Sequence, residues 1–126
     1  MSLTVRDLTL AHKGHPPVLQ ATTLDLAPGE RLAIFGDNGA GKTTLGRALA
    51  GLMPPQQGQI LWNGRNWADY SHAERAGLVQ FVGQSPWLQL SGRAFTVREE
   101  IAFGPENLCL PRAEIVQRTD EAMALL

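Results

Sequence analysis

Residues Gly36-Asp37-Asn38-Gly39-Ala40-Gly41-Lys42-Thr43 spell G-x-x-x-x-G-K-T, and this pattern constrains the chain on both sides of it. Before it runs Arg31-Leu32-Ala33-Ile34-Phe35, an apolar run of strand type. After it, residues 42–52 place Leu45, Leu49 and Leu52 at the i, i+4, i+7 spacing of a helix face. Strand, glycine-rich loop and helix together predict a phosphate cradle in an α/β fold. Gly36, Gly39 and Gly41 can take positive φ without a Cβ clash, which lets consecutive backbone N–H groups turn inward around phosphate oxygens. The unpaired N–H groups and positive end of the following helix add to the field on the anion. Lys42 would reach the β- and γ-phosphates as a point charge, and the Thr43 hydroxyl would ligate Mg²⁺. The ligand expected is a nucleoside triphosphate. The competing explanation is a glycine-rich turn that binds nothing.

The 126 residues suit one small domain. A net charge of −1 with no basic stripe argues against nucleic acid as a partner. No apolar run approaches the roughly 18 residues of a membrane span, and the start of the chain lacks a charged segment followed by an apolar one. A single cysteine, Cys109, excludes an internal disulfide and suits a reducing compartment. His12, His15 and His72 do not cluster with other metal ligands. These features predict a cytoplasmic protein.

Residues 3–10 alternate as a strand with an irregularity near Asp7, and residues 18–26 form a second strand. Pro54 and Pro55 are expected to stop the helix after the loop. Asn63-Gly64 between residues 58–62 and 65–67 predicts a two-residue hairpin. Ser71 and Glu74, like Thr96 and Glu99, have capping-box spacing, each opening a helix. The second of these is expected to end near Gly104-Pro105, with Pro111 in the first turn of a last helix. Residues 77–82 read as a buried strand ending at Gly83-Gln84. The apolar end, Ala124-Leu125-Leu126, has no polar tail, which predicts a chain cut short.

Three stretches resemble the ATP-binding subunit of ABC transporters, in the energy-coupling-factor or cobalt-type importer branch. They are residues 17–45, the Q-loop-like Phe81-Val82-Gly83-Gln84-Ser85-Pro86, and residues 96–108, which end in Phe103-Gly104-Pro105-Glu106-Asn107-Leu108. The resemblance implies a P-loop NTPase fold: a truncated RecA-like core with an N-terminal antiparallel β subdomain and the start of a helical subdomain. It divides the chain into a β-rich lead-in (1–35), the P-loop and helix (36–52), the hairpin and Q-loop strand (53–84) and the start of the helical subdomain (85–126).

The resemblance also assigns roles. Gly36, Asp37, Asn38, Gly39, Ala40, Gly41, Lys42, Thr43 and Thr44 hold ATP, and Thr43 and Gln84 serve Mg²⁺. Lys42 and Gln84 are catalytic. Gln84 also bears on the attacking water, and its loop touches a transmembrane transporter subunit. His12, with His15 nearby, stands where the family stacks an aromatic ring on adenine; a plain loop histidine fits the position equally well. Implied partners are a second ATP-binding subunit, identical or different, and the transmembrane subunit, on the inner face of the cell membrane.

Leu90-Ser91-Gly92-Arg93 begins like the family signature L-S-G-G-Q, but Arg93-Ala94 replaces Gly-Gln and no apolar strand ending in Asp-Glu follows. It reads as loop. The signature, the acidic strand end and the switch histidine are not found in these residues. Glu99, Glu100, Glu106, Glu114, Asp120 and Glu121 fall in helical or capping contexts. Three functions therefore compete: an ATPase subunit driving uptake of a metal ion or vitamin, a nucleotide-binding or interaction fragment without turnover, and a small P-loop kinase. The last would need an acceptor site that the scattered arginines do not suggest.

Overall fold

The computed structural model describes residues 2–126. The chain divides into two compact units, Met1–Phe81 and Val82–Leu126.

The first unit is built on a four-stranded antiparallel sheet in the order β2-β1-β3-β4: β1 (Leu3–Ala11), β2 (Pro17–Leu26), β3 (Gln57–Trp62) and β4 (Arg65–Asn66). On β1, Leu3 and Val5 point into the core, and so do Leu8 and Leu10. Strict alternation would turn the second pair outward. An extra residue corrects this. Asp7 takes φ 47, and the pairing slips between Val5 and Leu8 on the β2 side and between Arg6 and Thr9 on the β3 side. The amide of Asp7 donates to Thr23 Oγ1 at 3.1 Å, so the bulge leaves no donor stranded. Gly58 sits opposite it with φ 80, and a Cβ there would lie 2.4 Å from the carbonyl oxygens of Arg6 and Asp7. At the outer edge, the Arg6 guanidinium and the Thr4 hydroxyl donate to Asp25 and hold its carboxyl below the usual carboxylate range.

Helix α1 (Lys42–Leu49) buries Leu45 and Ala48 against this sheet, joined by Ile60 and Trp67. The helix ends earlier than the prolines suggested. Gly51 takes φ 73, its N–H donates to the Ala48 carbonyl and that of Leu52 donates to Arg47, a left-handed cap that satisfies the last carbonyls. The β3–β4 hairpin turns at Asn63-Gly64 as expected, with φ 49 and 80. Trp67 packs between Trp62 and Tyr70, with ring centroids 5.7 and 5.2 Å away. Ser71 and Glu74 form the expected capping box on α2 (His72–Leu78), which holds the Glu74 carboxyl below its ordinary range.

Two strand expectations are corrected. Residues 31–35 form no ladder, and Leu32, Ile34 and Phe35 are 48%, 42% and 89% exposed. Residues 79–83 form none either; the first two of the expected strand, Gly77 and Leu78, belong to α2. Both segments have the apolar composition of buried strands. A strand also needs a backbone partner, and neither segment is paired with any of β1–β4.

The second unit is a helical hairpin. A 3₁₀ turn (Pro86–Gln89) leads through a loop to α3 (Val97–Asn107) and α4 (Arg112–Met123). Arg98 in the first turn of α3 pairs with Asp120 near the end of α4 at 2.6 Å, so the helices run antiparallel. Helix α3 passes through Pro105 and does not stop there. The proline lies in the last turn and removes one N–H from the helix ladder, while the Asn107 side chain donates to the Phe103 carbonyl at 2.9 Å. Pro111 is the residue just before α4, one position ahead of the first turn.

Thr96 Oγ1 accepts from the Glu99 amide, while Glu99 accepts from the amides of Thr96 and Phe95. Thr96→Ala is expected to destabilise α3 by about 1 kcal/mol. Faster amide hydrogen exchange confined to the start of α3 would register the loss; unchanged protection at Glu99 and Glu100 would contradict it.

Candidate phosphate-binding loop

The loop is closed by its own backbone. A Cβ on Gly36 would stand 3.3 Å from that of Ala40, and the Ala40 amide donates to the Asp37 carbonyl at 3.2 Å. Gly39 and Gly41 take φ 86 and 85, as an inward-turned loop requires. Gly41 is also buried: a Cβ would come within 3.0 Å of Leu19 Cγ and 3.2 Å of the Val18 carbonyl. The loop therefore joins the helix through a glycine pressed against β2, while residues 36–40 are exposed.

Helix α1 begins with no side-chain cap and no acidic residue in its first turn. Its first N–H groups have no intrahelical acceptor, and no acidic side chain in the first turn offsets the positive end of the dipole. The other helices of the first and second units with a polar cap use Ser71 and Thr96. The Lys42 ammonium reaches back over the loop and donates to the carbonyls of Gly36 and Asp37, each at 2.7 Å. An ammonium has three donors, so one is left beyond these two. Thr43 is exposed and Thr44 half-buried on the next positions. Amides, an uncapped helix, an ammonium and a hydroxyl make a donor set that fits a polyphosphate and a hard divalent cation.

His12 and His15 lie on the turn after β1, where the His15 amide donates to the His12 carbonyl at 2.9 Å. Both line an open cavity of about 530 Å³ together with Lys13, Arg47 and the 52–54 segment. Residues 36–44 do not contribute to its wall. Arg47 was not singled out in the sequence, because its place beside His12 depends on the turn between β1 and β2 meeting α1.

Gln84 belongs to the second unit, at an exposed bend before the 3₁₀ turn. The amide of Gly83 donates to Gln89 Oε1 at 2.7 Å. Leu90-Ser91-Gly92-Arg93 is loop, as its altered motif suggested, and both the amide and the hydroxyl of Ser91 donate to the Glu100 carboxylate. Of the acidic residues downstream, Glu99 caps α3, Glu100 holds Ser91, Glu114 pairs with Arg118, Asp120 pairs with Arg98 and Glu121 accepts from Gln117.

Residues 19–126 match the family model described as ABC transporter. The energy-coupling factor transporter ATP-binding protein EcfA of Methanosarcina acetivorans is 45% identical over 109 residues, covering 86% of this chain and 39% of that protein. The EcfA of Methanothermobacter thermautotrophicus is 39% identical over 124 residues, covering 96% and 39%. The structure of cbiO1 from Clostridium perfringens, part of the ABC transporter complex cbiONQ, superposes with a TM-score of 0.78 at 32% identity, over 97% of this chain and 49% of that one. The chain thus spans less than half the length of these relatives.

Proposed function

The chain belongs to the ABC transporter family, with the P-loop NTPase fold of its ATP-binding subunits, and from that premise we propose that residues 36–44 bind the phosphates of ATP with Mg²⁺. The observation that carries this is the uncapped α1, with the Lys42 ammonium held at the loop carbonyls. In this reading the loop amides and Lys42 hold the β- and γ-phosphates, and the hydroxyls of Thr43 and Thr44 and the side chain of Gln84 serve the metal. When bound, Mg²⁺ would neutralise phosphate charge. His12 is the candidate for the adenine face. The subdomain limits at residues 35, 52 and 84 belong to the same reading.

The relatives' names extend the proposal. The chain is read as part of an ATP-hydrolysing subunit of an energy-coupling-factor importer for a metal ion or vitamin-like nutrient. It would pair with a second ATP-binding subunit and meet a transmembrane subunit through the Gln84 loop on the inner membrane face. No helix among the described residues is long and apolar enough to cross a membrane, which agrees with a peripheral position.

Binding should discriminate by phosphate number. Each charge-assisted hydrogen bond contributes about 1.5–3 kcal/mol, so ATP is expected to bind this chain at least about tenfold more tightly than AMP. Equilibrium dialysis with Mg²⁺ measures the ratio, and equal affinities would remove the phosphate loop from the proposal.

A second reading, binding without turnover by these residues taken alone, is favoured by the carboxylates of the second unit. Glu99, Glu100, Glu114, Asp120 and Glu121 are each already committed to hydrogen bonds, which makes them poor candidates for a base acting on water. Lys42-dependent ATP hydrolysis by the purified chain would sink this second reading.

A further inference from the structure

A cavity of about 190 Å³ lies within the first unit at the C-terminal end of α1, lined by Gly51, Pro55, Ile60, Asn66, Trp67 and Arg75 among others. Its wall is mostly apolar, but two donors are buried in it. Trp67 is 4% exposed, and its indole Nε1 has no acceptor; the Nε of Arg75 is equally buried and equally without one. Arg75 Nη1 makes only a long contact, 3.5 Å, to the Gly51 carbonyl. Buried donors of this kind are rare in folded chains because each forfeits its hydration.

Both donor residues converge on one glycine. A Cβ on Gly51 would stand 2.7 Å from Trp67 Nε1 and 2.8 Å from Arg75 Cδ, so only a residue without a side chain fits against them at this edge of the cavity. No Asp or Glu lines the cavity, and the nearest carboxylate along the chain, Glu74, is taken by Ser71 and Arg65. The Asn66 carbonyl oxygen is also used, accepting from the Ala68 amide. The cavity therefore offers donors and one positive charge, offers no counter-charge, and is otherwise walled by proline and aliphatic carbon.

We propose that this cavity binds a small carboxylate with a short apolar tail, its oxygens accepting from Trp67 Nε1 and Arg75 Nε and its carbons lying against Ile60 and Pro55. A carboxylate suits two converging N–H donors and a guanidinium. A bare inorganic anion would leave the apolar wall unfilled, and a neutral hydrocarbon would leave the donors unpaired. The site stands on residues apart from the phosphate loop, so it holds or fails independently of the ATP reading.

Butyrate is the probe, and the indole N–H resonance of Trp67 is the reporter in ¹H–¹⁵N spectra of the full chain, assigned by its disappearance in Trp67→Phe. Titration is expected to shift that resonance saturably, with half-saturation at about millimolar concentration for so small a ligand. The Trp87 indole, in the other unit, should stay in place. Arg75→Met should weaken the response at least tenfold. Butanol, matched in size and uncharged, should produce no saturable shift in the unaltered chain, a control that does not depend on any variant folding. A linear response, an equal response to butanol, or a Trp67 indole that shows contact only with a long-lived water would each overturn the proposal.

Discussion

Lys42→Ala is expected to weaken ATP binding by this chain about 10- to 100-fold while leaving its fold unchanged. The two halves of that expectation come from different parts of the geometry. The ammonium donates to two carbonyls of an exposed loop, at Gly36 and Asp37, and water can replace it at both once it is gone. The core beneath, Leu45 and Ala48 against the sheet, does not involve the lysine side chain. A phosphate oxygen has no such substitute for a positioned positive charge, and a charge-assisted hydrogen bond contributes about 1.5–3 kcal/mol. Calorimetric titration with MgATP measures the loss, with unchanged urea unfolding as the companion result. Unaltered affinity would mean that the loop does not hold the triphosphate. Parallel losses of affinity and stability would mean that the lysine is part of the scaffold.

Gly58→Ala is expected to be the most damaging single methyl group in the first unit, lowering its stability by about 3 kcal/mol or more. The backbone there has φ 80, which costs a non-glycine residue about 1–3 kcal/mol by itself. The new Cβ would also meet the carbonyl oxygens of Arg6 and Asp7 at 2.4 Å, and these belong to the bulge that no side-chain rotation can relieve. Gly64 is the internal control. It has the same φ of 80 in the hairpin turn but nothing within 4 Å of a Cβ. Gly64→Ala should therefore report the conformational cost alone. The difference between the two urea midpoints, followed by the fluorescence of Trp62 and Trp67, isolates the steric contact. Equal midpoints would show that the sheet can move away from the bulge.

Features set by the stereochemistry of one or two neighbouring residues could be read from the chain. Asn63-Gly64 turned the hairpin, Thr96 with Glu99 opened α3, and the broken alternation around Asp7 marked a real bulge. The conformation of the glycine-rich loop was equally legible, since Gly39 and Gly41 take positive φ and Lys42 reaches back over the loop carbonyls. Features that depend on what lies across from a segment were not. Residues 31–35 and 79–82 have strand composition, but ladder formation is decided by a partner elsewhere in space. The end of α1 was assigned to Pro54 and Pro55, yet Gly51 could take the left-handed conformation first, and the chain left the helix there. Pro105 looked like a terminator, yet α3 runs on past it to Asn107. Arg47 escaped notice for the same reason as the strands, since its neighbours on the cavity wall come from a distant turn.

The bulge at Asp7 makes β1 two short strands written in opposite reading frames. Leu3 and Val5 occupy odd positions, Leu8 and Leu10 even ones, and all four face the same side. A one-residue deletion at Asp7 would restore plain alternation and leave Leu8 and Leu10 on the face of Leu3 and Val5, whereas the same deletion at Thr9 would turn Leu10 to the opposite face. For this strand the place of an insertion or deletion therefore decides its cost, and an alignment with a related chain that lacks the bulge keeps the core residues matched only if its gap falls at the bulge.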